Sequence, residues 1–271
     1  MDYKDLHNYQ IKMVDWMLAN KRCALWAGVG LGKTVTTLTA ISHLIQNKQT
    51  NRILIVAPLR VAKFVWPTEI KKWKHLDKME CTVIHGGRKA REGLLRSDHR
   101  IHVINKENVV WLVDTLAKTN HWPYDCVVID ESSAFKNQKS KRFKALRQAN
   151  HRIDRLIELT GTPASNGLMD VWAQVHLLDG GERLGRTMTR YKQTYFDSDY
   201  MGWTFTPKVG AKEQIYGRLQ DICLTMDKTD YLDLPPLNKN NVVITLEGEP
   251  KNQYEELERN FILEIQDETV T

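Results

Sequence analysis

The chain has 271 residues, room for one large domain or two small ones, and its 42% hydrophobic and 27% charged residues call for a packed core. A formal charge of +6 tilts the choice of partner toward polyanions. No charged-then-apolar leader and no long uncharged apolar run is present, so neither a signal peptide nor a membrane span is expected. Cys23, Cys81, Cys126 and Cys223 are not paired at metal-ligand spacing. Three of them sit in or beside apolar runs as small hydrophobes, a usage that fits a reducing cytoplasm.

In chain order, Leu6-His7-Asn8-Tyr9-Gln10 leads into an amphipathic helix carried by Ile11, Met13, Val14 and Met17. Gln10 reads either as a surface amide or as an amide that hydrogen-bonds a planar base, since it offers a donor and an acceptor. The glycine-rich loop just downstream favours the second. Cys23-Ala24-Leu25-Trp26 is a short buried strand, and Val35, Leu38, Ile41 and Ile45 recur at helical spacing. Between them lies Ala27-Gly28-Val29-Gly30-Leu31-Gly32-Lys33-Thr34, a phosphate cradle. Gly28, Gly30 and Gly32 free the backbone to approach a ligand, and the turn aims N–H groups and a helix N-terminus at an anion. Lys33 reaches the β- and γ-phosphates, and the Thr34 hydroxyl suits Mg²⁺. The plain pattern wants glycine where Ala27 stands.

Ile53-Leu54-Ile55-Val56-Ala57-Pro58 is a second buried strand, joined to the first through the helix after Lys33 as a β-α-β unit. A helix runs from Arg60 to Trp73, restarted or kinked at Pro67, with Trp66 and Trp73 as packing residues. Cys81 to Ile84 and Ile101 to Ile104 are further strands, and Asn105 to Asn108 open the next helix.

Cys126-Val127-Val128-Ile129 runs into Asp130-Glu131-Ser132-Ser133. A buried strand that delivers two acids at its C-terminal end places them where open α/β sheets bind ligands. Asp130 can hold Mg²⁺ and Glu131 can polarise the water that attacks a γ-phosphate. The basic tract Ala134 to Lys144 reads equally as a solvated helix or as a contact for nucleic-acid phosphates. Leu156 to Leu159 is a strand, and Thr160-Gly161-Thr162-Pro163 turns at the same face, able to sense nucleotide state through the acidic pair. Leu168, Val171, Trp172, Val175 and Leu178 form a helical core stripe. After Gly180-Gly181 come Tyr191, Tyr195, Phe196, Tyr200, Trp203 and Phe205, which read as a small packed subdomain in preference to a base-stacking surface. Leu234-Pro235-Pro236 breaks the chain, Val242 to Leu246 looks like a strand, and Gln253 to Gln266 like an amphipathic helix.

Taken together, these motifs resemble the first RecA-like domain of a superfamily 2 helicase-like ATPase of the Swi/Snf type. That superfamily accepts Ala27 at the head of the loop, and Asn8-Tyr9-Gln10 is similar to its adenine-reading segment. Val56 to Leu59 with Trp66, Glu69 and Trp73 resembles its next block. Asp130 to Ser133 with Phe135-Lys136-Asn137 and Ser140-Lys141 resembles its acidic box, and Leu159 to Asn166 with Leu168 and Trp172 its coupling motif. Leu224 to Lys228 and Leu234-Pro235 fall where the family has a basic segment and a leucine-proline pair. Ser132-Ser133 stands where alanine-histidine is commoner, so the coupling contacts of that box depart from the family's. Paired arginines are missing near Lys228, which points to a compact phage or bacterial relative.

The resemblance implies an α/β, RecA-like P-loop fold with a mainly parallel sheet, plus a small helical or irregular C-terminal extension. It implies domain bounds of 1–180, 181–236 for the extension, and 237–271 as a linker or the start of a second RecA-like domain that the chain has no room for. ATP and Mg²⁺ are the implied cofactors. Gln10, Gly28, Gly30, Gly32, Lys33, Thr34 and Val35 would bind nucleotide, Thr34 and Asp130 the metal, and Lys33, Asp130 and Glu131 would carry catalysis. Thr160, Gly161 and Thr162 would couple ATP state to movement. Double-stranded DNA would be met by Arg60, Lys63, Lys106, Lys136 and Lys139, positions carried over from the family's blocks. The expected activity is DNA-stimulated ATP hydrolysis and translocation, weak in this chain alone because arginine fingers reside in the second domain. No membrane partner is implied, and the expected location is the cytoplasm of a prokaryote or a phage-infected host. An RNA-helicase half is the nearest alternative, against which stand the tract Phe135 to Lys144 and the segment after Gly181. A non-catalytic nucleotide- or DNA-binding adaptor is the other.

Overall fold

Runs of four to six mostly apolar residues, closed at the C-terminal end by loops of glycine, proline, asparagine or acid, make the main strands of this protein. The computed structural model describes residues 1–231, 245–260, 263–265 and 268–270. After α1 (Asn8–Ala19) come β1 (Arg22–Ala27), α2 (Lys33–Gln46) and β2 (Ile53–Ala57). A π-helical turn, Val61–Val65, winds straight into α3 (Trp66–Lys72). Pro67 therefore lies in the first turn of α3, where its missing N–H costs little. The chain continues through β3 (Cys81–Ile84), α4 (Arg88–Leu95), β4 (Ile101–Asn105), α5 (Val109–Lys118) and β5 (Cys126–Asp130). Next are α6 (Lys141–Ala149), β6 (Arg155–Thr160), α7 (Val171–Asp179), α8 (Met188–Tyr195), β7 (Phe196–Ser198), β8 (Phe205–Pro207), α9 (Ala211–Gly217) and β9 (Cys223–Met226).

Seven strands form one sheet in the order β3-β4-β2-β5-β6-β1-β9, and every neighbouring pair is parallel. Parallel strands need crossovers, and helices supply them on both faces. Period-two alternation sorts the strand residues. Cys23, Leu25, Ile53, Ile55, Val128 and Ile157 pack with Met13, Met17, Leu38 and Ile41 of α1 and α2. Ala24, Trp26, Leu54, Val56, Ile129 and Leu156 pack with Leu112, Phe143, Val171 and Trp172 of α5, α6 and α7. The α/β reading with a parallel sheet is borne out.

Two expectations are corrected. The segment after Gly181 is not only helical or irregular: β9 joins the sheet edge beside β1, with Ala24 opposite Cys223 and Ala27 opposite Met226. Its four residues include an exposed threonine, so no clear period marks them as a strand. The terminal helix α10 runs Glu249–Asn260, and an antiparallel hairpin of β10 (Leu263–Ile265) and β11 (Glu268–Val270) comes after it, where helix was expected to Gln266. Alternation of apolar and polar residues over Leu263-Glu264-Ile265 suits a strand better than a helix. Leu234-Pro235-Pro236 and most of the strand expected over Val242 to Leu246 lie outside the described residues. By contacts the chain divides into Met1–Leu232 and Asp233–Thr271.

Of the late aromatics, Tyr191, Tyr195 and Phe196 are buried, as a packed subdomain requires, whereas Tyr200 and Trp203 stand in solvent between β7 and β8. All four cysteines are free, and Cys23, Cys126 and Cys223 are buried. Among the described residues no helix is long and apolar enough to cross a membrane.

Candidate active site

Three neighbouring strands, β5, β6 and β1, end at the same edge of the sheet and deliver three loops there. The first is the glycine loop between β1 and α2. Gly30 (φ +92°) and Gly32 (φ +79°) both hold the left-handed conformation. Gly32 is also sterically closed: a Cβ there would lie 2.2 Å from Gln10 Nε2. Leu31 is buried and anchors the loop, while Val29 is 83% exposed at its crest. Lys33 folds back on the loop, its Nζ donating to Ala27 O at 2.8 Å and Gly28 O at 3.2 Å. Burial pushes this ammonium below its ordinary range, while Asp130 and Glu131 pull it back up. Thr34 is half-buried in the first turn of α2. Val35 is buried in the core with Leu31 and Leu38, so only its backbone is left to face a ligand.

Gln10 sits under this loop, 7% exposed. Its Nε2 donates to Leu31 O at 3.3 Å, and its Oε1 accepts from His7 N at 3.0 Å, tying the start of α1 to the cradle. The His7 and Tyr9 rings stack beside it with centroids 5.3 Å apart.

The second loop comes after β5. Asp130 accepts a hydrogen bond from Trp66 Nε1 at 3.0 Å. Burial raises this carboxyl, and the Trp66 bond and the Lys33 charge oppose that rise. Trp66, expected as packing alone, is thus also an orienting donor. Glu131 has φ +61° and ψ +64°, a left-handed conformation that a glutamate adopts at a cost of order 1–3 kcal/mol and that recurs at functional sites. Its Oε1 accepts from Ser133 Oγ at 2.6 Å and from Thr160 Oγ1 at 2.9 Å.

Thr160 opens the third loop, at the end of β6. It is fully buried, and its Oγ1 also accepts from Thr162 N at 3.1 Å. A Cβ on Gly161 would stand 3.4 Å from Ala27 O, so this turn lies against the glycine loop. Ser132, buried beside Glu131, donates to Gln174 Oε1 at 2.7 Å, and Gln174 Nε2 donates to Pro163 O at 2.7 Å. Gln174 carries no signal in sequence; it is 42 residues from Ser132 and reads there as an ordinary helix residue.

The basic residues assigned to nucleic acid leave the C-terminal ends of the adjacent strands β4, β2 and β5: Lys106 after β4, Arg60 and Lys63 after β2, Lys136 and Lys139 after β5. Arg60 and Lys139 are exposed and Lys63 and Lys106 half-buried. Lys136 is already engaged, with Asp170 Oδ2 at 3.1 Å and Ser165 Oγ at 2.9 Å. Phe64 in the π turn is 65% exposed beside Lys63, which its apolar type does not foretell.

Residues 9–271 match the SNF2-related domain. The chain belongs to that family. It is 37% identical to protein p41 of Acyrthosiphon pisum secondary endosymbiont phage 1 over 95% of this chain and 58% of that one. It is 28% identical to ATP-dependent DNA helicase DDM1 of Arabidopsis thaliana, over 64% of this chain and 23% of that one. The Sulfolobus solfataricus SWI2/SNF2 ATPase core in complex with dsDNA superposes with a TM-score of 0.67 at 25% identity, covering 83% of this chain and 45% of that one. The same core domain alone gives 0.64 at 28% identity, covering 94% and 52%. This SNF2-related chain therefore spans roughly half the length of the phage relative and of the archaeal core, and less of the plant helicase.

Proposed function

We propose that this chain is the ATP·Mg-binding half of a DNA-stimulated ATPase that tracks along duplex DNA. The observation that supports it most is the meeting of the glycine loop, the Asp130-Glu131 pair and Thr160 at one sheet edge, with Thr160 bonded to Glu131. In this reading the N–H groups of the Gly28 to Gly32 loop and the N-terminus of the 14-residue α2 cradle the phosphates. Lys33 exchanges its two loop carbonyls for phosphate oxygens. Glu131 orients and deprotonates the attacking water, held in place by Ser133 and Thr160.

A magnesium ion suits the donors present. Thr34 and Asp130 offer two hard oxygens, and among the described residues no group of three His, Cys, Asp or Glu forms a protein-only cage. That is the donor set of an ion carried mainly by phosphates and water. When bound, it neutralises phosphate charge.

Arg60, Lys63, Lys106 and Lys139 would contact the DNA backbone, which gives binding without sequence readout. Lys136, held by Asp170, contributes instead to the shape of the coupling loop. A second RecA-like domain, in cis or in trans, would supply arginine fingers worth roughly 10³ to 10⁵ in rate, so turnover by this chain alone is expected to be low. The site of action is the cytoplasm of a prokaryotic or phage-infected cell.

The test is ATP turnover with no nucleic acid, duplex DNA and duplex RNA. Stimulation by duplex DNA that is lost in Lys33→Ala and in Glu131→Gln supports the reading. Stimulation by RNA alone favours an RNA helicase. DNA binding indifferent to nucleotide, with no turnover, favours an adaptor.

A further inference from the structure

The parallel sheet has a second edge, at the N-terminal ends of its strands, and arginines gather there. Two adjoining cavities, of about 610 and about 720 Å³, share Glu182, Arg183 and Arg186 in their walls. The larger is also lined by Arg22, the first residue of β1, by His151, just ahead of β6, and by Ile222, just ahead of β9. It therefore lies at the opposite edge of the sheet from Glu131 and Thr160. Together the two cavities are lined by six arginines, Arg22, Arg147, Arg183, Arg186, Arg190 and Arg218, and by two acids, Asp179 and Glu182.

Two of the six arginines are occupied. Arg183 pairs with Asp221 at 2.5 Å and with Asp179 at 3.4 Å. Arg22 gives its N–H groups to Leu178 O, Leu177 O, Ile153 O and Asn150 Oδ1, all neutral acceptors, so its charge still adds to the field of the cleft. Arg218 is exposed and makes one long contact, 3.4 Å to Arg183 O. Arg147, Arg186 and Arg190 are exposed, and among the described residues their guanidinium groups have no hydrogen bond or ion pair. A cleft lined by one sign of charge focuses the field and concentrates ions of the other sign.

The loop that carries these residues is fixed. Gly181 (φ +90°) and Gly185 (φ +96°) are both left-handed, and a Cβ on Gly181 would lie 2.6 Å from Arg186 Cα. Trp172 Nε1 donates to Gly185 O at 2.9 Å, and the Asp179 carboxylate accepts from Gly181 N at 2.7 Å and Arg183 N at 2.9 Å. Ordering the loop on binding therefore costs little.

From the cleft a cationic stripe leads back to the other edge. Residues 132–153 hold seven Lys and Arg and no Asp or Glu, more positive charge than the net +6 of the whole chain. Within them α6 returns from the end of β5 to the start of β6. It buries Phe143, Ala145, Leu146 and Ala149, and exposes Lys141, Lys144 and Arg147 at steps of three residues along its other side. Nine residues of helix span about 13 Å, about four base-pair rises of duplex. Lys139 lies just before this stripe and Arg147 enters the cleft at its end. A track of that length fits an extended polyanion. None of the large apolar side chains exposed elsewhere, such as Phe64, Tyr200 and Trp203, lines either cavity, so a protein partner would find no apolar anchor there.

We propose that α6 and the arginine cleft form a second backbone site for duplex DNA, separate from the contacts at Arg60, Lys63 and Lys106. The inference rests on the DNA partner proposed above and is independent of ATP turnover. Its contacts are to phosphates, so it carries no sequence readout.

The experiment is a stoichiometric titration of the chain with a duplex of about one helical turn, about 10 base pairs. It compares the parent, the double variant Arg60→Ala/Lys63→Ala and the triple variant Lys144→Ala/Arg147→Ala/Arg186→Ala. The parent is expected to bind two duplexes per chain and each variant one. The binding left in the double variant should weaken with salt at a log–log slope of about −3 or steeper, the release of counterions from three or more phosphates. Restoring the triple variant's three positions as lysines should return the second duplex, since a backbone contact needs the charge, and a lost duplex that lysines do not return overturns the inference. One duplex per chain, lost in the double variant and kept in the triple, overturns the inference and leaves the proposed function standing. One duplex, kept in the double variant and lost in the triple, supports the cleft and removes the contacts proposed at the other edge. A poly-glutamate peptide that the parent binds and the triple variant does not, with no duplex bound there, assigns the cleft to an acidic protein and overturns the inference. A parent that binds no duplex overturns both readings.

Discussion

Thr160 Oγ1 donates to Glu131 Oε1 across 2.9 Å, joining the ends of β6 and β5 at the candidate site. Glu131 is the residue with the strained backbone, and Thr160 is fully buried, so the better-anchored partner fixes the worse one. Because Thr160 also accepts from Thr162 N, any shift of the turn after β6 reaches the carboxylate directly.

Replacing Thr160 by valine keeps the shape and removes the donor. A hydrogen bond to a charged group contributes about 1.5–3 kcal/mol, so kcat of the DNA-stimulated reaction is expected to fall roughly 10- to 100-fold, with little change in the KM for ATP. Thr160→Ser should retain most of the rate. Steady-state kinetics on both variants checks this.

Gly32 and Gly30 separate strain from contact. Both have positive φ, but a Cβ meets nothing within 4 Å at Gly30 and meets Gln10 Nε2 at 2.2 Å at Gly32. Gly30→Ala is expected to cost about 1–2 kcal/mol of stability from backbone strain alone. Gly32→Ala should cost more and detach Gln10 from the loop. Urea unfolding of the two variants, with a fluorescent ATP analogue to track binding, gives the comparison.

Much of this site is legible in sequence because its parts are local. Glycines before Lys33, two acids at the end of Cys126 to Ile129, and the Thr160-Gly161-Thr162 turn each announce themselves within a few residues. What stays hidden is what long-range pairing creates. Trp66 reaches Asp130 over 64 residues, Lys136 is captured by Asp170, and Gln174 meets Ser132 only after α7 packs on the sheet. Nothing around Cys223 signals that its short strand will pair with β1. Glu158 reads as one polar letter in a strand, and nothing local to it tells that the strand will sit inside the sheet with that side chain fully buried.

Trp66→Phe removes the indole donor to Asp130 while keeping a buried aromatic ring. With one fewer group orienting the carboxylate, the Mg²⁺ concentration for half-maximal nucleotide binding is expected to rise about tenfold, the equivalent of one charge-assisted hydrogen bond. Titration of nucleotide binding with Mg²⁺ measures it.

His102 gives the fold a pH dependence far from the site. Its ring is fully buried and stands 2.7 Å from the Tyr124 hydroxyl. Burial first, and then the Arg52 charge, lower its pKa from 6.5 to about 4. The unfolded chain therefore binds a proton more readily than the folded one between those values, and stability falls as pH drops through that window. The loss is expected to approach about 3 kcal/mol near pH 4, on top of the general effect of acid. Urea unfolding at pH 7 and pH 4.5 checks it, and His102→Gln should flatten this part of the dependence.

The most direct measurement is the affinity of a fluorescent ATP analogue with Mg²⁺ for the parent chain, Lys33→Ala and Glu131→Gln. The expected result is binding by the parent, loss of at least about tenfold in Lys33→Ala, the scale of one charge-assisted contact, and retained binding in Glu131→Gln. No binding by the parent, or equal binding by Lys33→Ala, would contradict the assignment of the Gly28 to Thr34 loop as a nucleotide cradle.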